Sequence, residues 1–266
     1  MSERIKSLST IAAVAVGLYY PHYFQQMGSF KFTSLIVPLI QLIMFSMGTE
    51  MSLKDFEGVV KTPKAVVIGL ISHFTIMPLV GVALAKGFGF PPEIAAGVIL
   101  MGSVPSGVTS NVLAFIAKAN MPLSVTIAAI STLVAPVMTP FLMKILAGQY
   151  VEIDFIKMML HVVQIIIVPI VLGLIVNKII RNGVKWLQAI MPIISMCGVL
   201  MMLIVIVSSG RDSLLKIGPL LFIASIIHHS TGYLLGYFSG RLVGLDERSC
   251  RTISLEVGMQ NGGLAA

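Results

Sequence analysis

Charged residues are so sparse in this chain, and so unevenly placed, that they outline its membrane-spanning segments. Eight long stretches contain no Asp, Glu, Lys or Arg. Their bounding residues are Lys6 and Lys31, Lys31 and Glu50, Lys64 and Lys86, Glu93 and Lys118, Lys118 and Lys144, Lys157 and Lys178, Lys185 and Arg211, and Lys216 and Arg241. Each stretch can hold the roughly 20 apolar residues that a spanning helix needs, although the second is short for this.

Composition leads to the same class of protein. Soluble domains carry about 25% charged residues, whereas this chain of 266 residues carries 11%. A ninth apolar segment begins near Glu247 and contains only Arg248, Arg251 and Glu256 as further charges. Backbone groups in lipid must be hydrogen-bonded within their own segment, so the spans must be helical. The sequence therefore predicts an all-α polytopic membrane protein with nine transmembrane helices.

The distribution of Lys and Arg predicts the orientation. With nine alternating spans, twelve of these residues fall on the side of the N-terminus and six on the other side. Because cytoplasmic loops carry the excess of positive charge, the N-terminus is predicted to be cytoplasmic. This topology accounts for the net charge of +7, so we expect the lipid bilayer, and no nucleic acid, as a partner.

A similar order of features occurs twice along the chain. His73 in the third helix, and His228 with His229 in the eighth, each precede a turn with an acidic residue and then a polar motif, which ends at Asn111 or at Asn261. This order predicts two related halves, 1–148 with helices 1–5 and 149–266 with helices 6–9. An odd number of helices in a half makes the halves inverted in the membrane, as in many secondary transporters. On this interpretation the second half lacks its fifth helix.

The first polar motif, residues 102–111, lies in the middle of the fourth span. Pro105 removes a backbone donor and Gly107 permits non-helical geometry, so a break in the helix is expected here. The motif then places several side-chain oxygens beside the break, those of Ser106, Thr109, Ser110 and Asn111. The alternative is a kinked helix whose small residues serve close packing.

The second polar motif, residues 256–263, contains the one carboxylate that no loop or helix end accounts for, Glu256. A carboxylate within the membrane should face protein, pair with another group or bind a cation. Glycines at 258, 262 and 263 also make this helix breakable. Loosened carbonyls, amides and one carboxylate suit a hard monovalent cation. The alternative is that Glu256 lies near the membrane surface and extends into water.

Three groups of residues resemble the bile acid:sodium symporter family. They are the Gly102 to Ser110-Asn111 motif, Glu-Val-Gly-Met-Gln-Asn at 256–261 and Leu-Leu-Gly-Tyr-Phe at 234–238. The resemblance implies a ten-helix fold of two inverted five-helix repeats, of which this chain has nine helices. It implies a core domain (about 64–147 and 217–266) with two broken, crossing helices, and a panel domain (about 7–50 and 153–210). It also implies two sodium ions and an organic anion as substrate.

The resemblance implies a first sodium site that consists of Ser110, Asn111, Ser124 and Glu256. Where the family often has a hydroxyl one turn after the serine, this chain has Ala128, with Thr126 and Ser131 nearby in sequence. Ser131 lies two turns from Ser124 and shares its helix face.

For the second sodium site the resemblance implies the backbone carbonyls of Val257 and Met259, the side chain of Gln260, and His73 at a position that is often Gln. A hydrogen-bonded core histidine is the alternative for His73, and packing is the interpretation for His228 and His229. The implied substrate residues are Thr109 and Asn261.

We therefore expect a sodium-coupled symporter that imports an organic anion, such as a bile salt or a small pantoate-like carboxylate, by alternating access. No cofactor other than sodium, no other metal and no catalytic residue is expected, and no oligomer is implied. The alternatives are a truncated family member that does not transport and a membrane-embedded enzyme. Against the enzyme, the chain has no His-Glu-x-x-His or Gly-x-Ser-x-Gly motif and no pair of intramembrane aspartates.

Overall fold

A computed structural model describes residues 3–52, 61–107, 109–180 and 185–265. The helices are α1 (Glu3–Tyr19), α2 (His22–Gln25), α3 (Ile36–Glu50), α4 (Pro63–Gly87), α5 (Pro92–Ser103), α6 (Thr109–Ile116), α7 (Met121–Leu146), α8 (Phe155–Val162), α9 (Val168–Ile180), α10 (Lys185–Ser209), α11 (Arg211–Leu242) and α12 (Glu247–Gly258). Strands β1 (Gln26–Met27) and β2 (Phe30–Lys31) form a short antiparallel hairpin before a 3-10 turn, Phe32–Leu35. A π-helical segment, Val163–Ile167, joins α8 to α9.

Six helical segments in the described residues are long and apolar enough to span a membrane. They are Phe32–Glu50, Pro63–Gly87, Met121–Leu146, Phe155–Ile179, Ile190–Ser209 and Arg211–Leu242. The sequence predicts nine spans, and this count is not confirmed. The predicted fourth span is divided between α5 and α6, and α12 has 12 residues. Lys54 and Arg181, which enter the orientation prediction, lie outside the described residues.

The chain divides into two compact units. The first consists of Met1–Met51 and Gln164–Pro219, with Ala266. Within it, α3 and α9 cross at a pair of glycines: a Cβ on Gly48 would lie 2.3 Å from the Ile170 carbonyl oxygen, and one on Gly173 would lie 2.3 Å from that of Phe45. Only glycine allows this backbone approach, so the crossing requires both residues.

The second unit consists of Ser52–Val163 and Leu220–Ala265. Within it, α5 packs against α4 at Gly102, where a Cβ would lie 2.4 Å from the Met77 carbonyl oxygen. One apolar cluster of this unit surrounds Ala95 and Ile99 of α5, and another surrounds Ile127 of α7 and Ile253 of α12. The second cluster holds α12 against α4 and α7.

Two helix starts in this second unit follow local capping rules. The Asn120 side chain accepts a hydrogen bond from the Leu123 backbone at the start of α7, and Pro122 lies in the first turn, where proline is tolerated. The Asp246 side chain accepts hydrogen bonds from the Arg248 and Ser249 backbones at the start of α12. These caps fix where α7 and α12 begin, and therefore which residues reach the polar motifs.

Candidate functional site

The two polar motifs meet where their helices are interrupted. Helix α5 ends at Ser103 and α6 begins at Thr109, while α12 ends at Gly258. Ser106 and Gln260 face each other in an isolated antiparallel β-bridge. The Gly107 N–H donates to the Met259 carbonyl at 3.2 Å, and the Asn261 N–H donates to the Pro105 carbonyl at 2.9 Å. Backbone groups freed at each break are therefore hydrogen-bonded to the other break.

Proline and glycine explain this pairing. Pro105 has no N–H to continue the helix, and it leaves its own carbonyl to accept from Asn261. A Cβ on Gly107 would lie 2.8 Å from the Gln260 carbonyl oxygen, too close for any other residue without a shift. The break that Pro105 and Gly107 predict is thus present, and a continuous kinked helix is not.

Glu256 lies at the paired breaks, which we call the crossing. Its side chain is completely buried, which rules out the alternative of extension into water. The carboxylate accepts hydrogen bonds from the hydroxyls of Ser106 at 2.6 Å and Ser110 at 2.8 Å, and from that of Ser124. We call Glu256 and these three serines the carboxylate hub. The ion pairs seen among the described residues lie elsewhere and do not include Glu256.

The carboxylate hub has more hydrogen-bond acceptors than hydroxyl protons to donate to them. Besides their contacts with Glu256, Ser110 Oγ lies 2.7 Å from the Gly107 carbonyl oxygen and Ser124 Oγ lies 2.8 Å from Asn111 Oδ1. Each serine has one hydroxyl proton, so Ser110 and Ser124 can each donate to only one of two acceptors at a time. Carboxylate, hydroxyl and carbonyl oxygens with spare lone pairs are the ligands that hard cations prefer.

His73 joins the backbones of both breaks. The fully buried ring places Nδ1 2.9 Å from the Glu256 carbonyl oxygen and Nε2 2.9 Å from the Val104 carbonyl oxygen. A neutral imidazole has one N–H, so it can donate to only one of these carbonyls, whereas the imidazolium can donate to both. In either protonation state, the ring of His73 lies between one backbone carbonyl of each broken segment.

The other residues of the expected second sodium site lie together at the end of α12. Gln260 Nε2 donates to the Val257 carbonyl at 2.9 Å, and the Met259 carbonyl accepts from Gly107. The Gln260 Oε1 atom is buried and has no hydrogen-bond partner within the described part of the chain. A buried amide oxygen without a protein partner is costly unless another group satisfies it. Its chemistry fits a cation as the missing partner.

The two expected substrate residues differ in exposure. Thr109 is exposed and is the first residue of α6. Asn261 is buried, and its backbone is held by Pro105 on one side and by Leu264 on the other. Their side chains do not contact each other through any hydrogen bond seen in the described residues.

Ser106 and Ser131 also belong to the crossing, although neither is in the sodium sets that the resemblance implies. Ser106 contacts Glu256, and its backbone N–H donates to Ser131 Oγ at 3.3 Å. The signals in the sequence are the place of Ser106 between Pro105 and Gly107 and the place of Ser131 on the same face of α7 as Ser124.

A larger metal cluster is not part of this site: the described residues contain no group of three or more His, Cys, Asp and Glu side chains that could hold a metal ion.

Comparison with known proteins identifies the family. The chain matches the sodium bile acid symporter family over residues 37–217. It belongs to this family. The family expected from the polar motifs is confirmed, and the protein is a member of a family of sodium-dependent membrane transporters.

Three relatives indicate the range of the family. The sodium-dependent transporter YocS of Bacillus subtilis is 39% identical over 256 residues, which cover 96% of this chain and 78% of YocS. A chloroplastic sodium/metabolite cotransporter of Arabidopsis thaliana, BASS1, is 35% identical over 84% of this chain and 55% of its own length. The ileal sodium/bile acid cotransporter of Oryctolagus cuniculus is 34% identical over 86% of this chain and 67% of its own length. The relatives are named as transporters or cotransporters and not as enzymes.

Proposed function

We propose that this family member binds sodium at the carboxylate hub and uses the ion to drive import of an organic anion. The observation that carries the proposal is Glu256, a fully buried carboxylate with three serine hydroxyls and no cationic partner seen in the described residues. An uncompensated charge at this depth is expensive, and a bound cation removes the cost. Asn111, next to Ser124, supplies a further oxygen.

A second sodium ion is proposed near the end of α12. Its support is the unpaired, buried Gln260 Oε1 atom and the nearby carbonyls of Val257 and Met259. His73, which lies against the Glu256 and Val104 carbonyls, would hold the backbone of this site in place. Sodium at the hub would also neutralise the Glu256 carboxylate. Sodium at either position would orient the paired breaks.

The anion is proposed to bind beside Thr109 and Asn261. Thr109 is exposed at the start of α6, where backbone N–H groups and the helix dipole favour a carboxylate or sulfonate. The bile acid named for the ileal relative carries such an acidic group, whereas the name of the chloroplastic relative gives an unspecified metabolite. We propose a bile salt or a small pantoate-like carboxylate for this chain.

Transport is proposed to proceed by alternating access between a core domain and a panel domain of an inverted-repeat fold. The division of the chain into two units, one with both broken helices, supports this proposal. We also propose a bacterial inner membrane, because the relative YocS comes from a bacterium. We propose a cytoplasmic N-terminus, because Lys and Arg are concentrated on that side. An impermeant maleimide should then label Lys31→Cys only from outside the cell and Lys118→Cys only from inside, and the reverse pattern would overturn this orientation.

Uptake into proteoliposomes tests the function. Radiolabelled taurocholate and pantoate are offered under an inward sodium gradient, or under a choline gradient of equal ionic strength. We expect one of these probes to accumulate only with sodium, and Glu256→Gln to abolish the accumulation. Equal uptake with choline would contradict the coupling to sodium, and absence of uptake for both probes would contradict the two proposed substrates.

A further inference from the structure

We infer that Thr252 and the backbone of Asn120 form a clamp that positions Ser124 against Glu256, and so sets the affinity of the proposed hub for sodium. The inference rests on the proposed function, since it concerns the geometry of the same site. Thr252 is a completely buried residue of α12, and Asn120 immediately precedes α7. Neither residue is a ligand in the sodium sites described above.

The clamp consists of reciprocal hydrogen bonds through one hydroxyl. The Asn120 N–H donates to Thr252 Oγ1 at 2.9 Å. The hydroxyl proton of Thr252 in turn faces two carbonyl oxygens, that of Asn120 at 3.1 Å and that of Arg248 at 3.0 Å. The Asn120 N–H also lies 3.4 Å from the Arg248 carbonyl oxygen. The Thr252 hydroxyl thus accepts from the Asn120 N–H, and its one proton can be donated to the Asn120 carbonyl or to the Arg248 carbonyl.

The spacing of the clamp connects it to the hub. Thr252 precedes Glu256 by four residues on α12, and Asn120 precedes Ser124 by four residues at the start of α7. Residues four apart lie on the same face of a helix, about one turn or 5.4 Å along its axis. The Ser124 N–H also donates to the Asn120 carbonyl at 3.0 Å, which makes Asn120 the start of the turn that carries Ser124. The clamp therefore holds the two helices together one turn from the contact between Ser124 and Glu256.

The connection between α6 and α7 shows that this segment is held firmly. Lys118 has a φ of 52°, a left-handed conformation that is unfavourable for a residue with a side chain. Such a conformation persists where surrounding contacts fix it. Here the local contacts are those of a Schellman helix end, from the Lys118 N–H to the Phe115 carbonyl at 3.1 Å and from the Ala119 N–H to the Ala114 carbonyl at 2.9 Å. The connection that follows is tied to α12 by the clamp, by a hydrogen bond of 3.3 Å from Arg251 Nη1 to the Ala117 carbonyl, and by one of 3.4 Å from Asn120 Nδ2 to Ser249 Oγ.

Two substitutions at Thr252 separate positioning from packing. Thr252→Val keeps the branched shape and removes the hydroxyl, whereas Thr252→Ser keeps the hydroxyl and removes a methyl group. Thermal unfolding of the purified full-length variants in detergent is followed over a series of NaCl concentrations, with choline chloride at constant ionic strength. This gives the sodium concentration for half-maximal stabilisation and, separately, the midpoint without sodium.

For Thr252→Val we expect the half-maximal sodium concentration to rise about three- to tenfold, the range that loss of about one hydrogen bond gives. For Thr252→Ser we expect a value within about twofold of the parent, because its hydroxyl can form the same bonds. If Thr252→Val does not fold, Thr252→Ala replaces it, since it removes the hydroxyl without putting a methyl group in its place.

A valine variant with a lower sodium-free midpoint but an unchanged half-maximal sodium concentration would overturn the inference, because the clamp would then serve stability alone. A valine variant unchanged in both quantities would overturn it as well. If the parent protein itself does not respond to sodium, the proposed function fails together with the inference. If the parent responds to sodium and Thr252→Val has the same affinity for sodium, the inference is wrong and the proposed function stands.

Discussion

Gly107 is the residue at which the two broken segments depend most directly on the absence of a side chain. Its N–H donates to Met259, and a Cβ would lie 2.8 Å from the Gln260 carbonyl oxygen. That oxygen belongs to the backbone, so it can move away only if the β-bridge between Ser106 and Gln260 opens. The crossing thus couples a local backbone requirement to the geometry of the whole site.

Gly107→Ala is therefore expected to destabilise the protein by about 1–3 kcal/mol, the usual cost of overpacking a well-packed interior. Thermal unfolding in detergent measures the effect. Gly97→Ala in α5 is the matched control, because its Cβ would meet no atom within 4 Å and alanine is the better helix former. Equal loss of stability in both variants would contradict this role of Gly107.

At the same scale, the sequence predicts Glu256, Ser110 and Ser124 as neighbours only through the family motif. The structure brings them together, with Ser106 as a further partner of the carboxylate. The position of Ser106 depends on how Pro105 and Asn261 pair, which no local pattern encodes. The contacts of His73 with two backbone carbonyls depend in the same way on segments 31 and 183 residues away.

Helix α12 is the element on which the site depends most, and its beginning is set by one side chain. Asp246 accepts hydrogen bonds from the backbone of Arg248 at 3.0 Å and of Ser249 at 3.1 Å, and from the Ser249 hydroxyl at 2.6 Å. The hydrogen bond from the Ser249 hydroxyl is the main reason that the pKa of the Asp246 carboxyl lies below its ordinary value of 3.8, and the backbone hydrogen bonds lower this pKa further. Hydrogen bonds to the carboxylate favour the anion.

Asp246→Ala should lower the free energy of unfolding by about 1 kcal/mol, a typical cost for loss of an N-cap. Asp246→Asn is the control, because its amide oxygen can still accept from the helix start. The folded-state pKa is depressed, so the stability that the charge contributes is present above pH 3.8 and is lost as the pH falls through the folded-state pKa. Unfolding measured against pH should show the parent and Asp246→Asn converging in that acidic range. A constant difference would argue against a role of the charge.

For the helices, the charge pattern predicts which segments are apolar but not whether each helix is continuous. Charge-free windows mark where the chain is apolar, and the six candidate spans lie within or largely within such windows. The windows do not show whether a helix is continuous, so they predict a fourth span where the structure has α5, a break and α6. Pro105 and Gly107 supply this missing information, because their backbone chemistry interrupts a helix irrespective of hydropathy.

On the scale of the whole molecule, composition is sufficient to identify a membrane protein, and the polar motifs are sufficient to identify its family. The family assignment is independently supported by the match over residues 37–217. The pairing of the two breaks requires tertiary structure, because it joins residues such as Ser106 and Gln260 that are far apart in sequence. Inverted repeats and the number of sodium ions remain predictions of the resemblance.

The central claim for the molecule is that the carboxylate hub binds sodium. The most direct test is thermal unfolding of the purified chain in NaCl and in choline chloride at equal ionic strength, beside Glu256→Gln. A ligand that binds only the folded state raises stability, by about 1.4 kcal/mol at ten times its dissociation constant. We predict a sodium-specific rise in the midpoint of the parent, and a smaller rise in Glu256→Gln, which lacks the contribution of the hub. A midpoint that is equal in the two salts, or a rise that is as large in Glu256→Gln as in the parent, would contradict the claim.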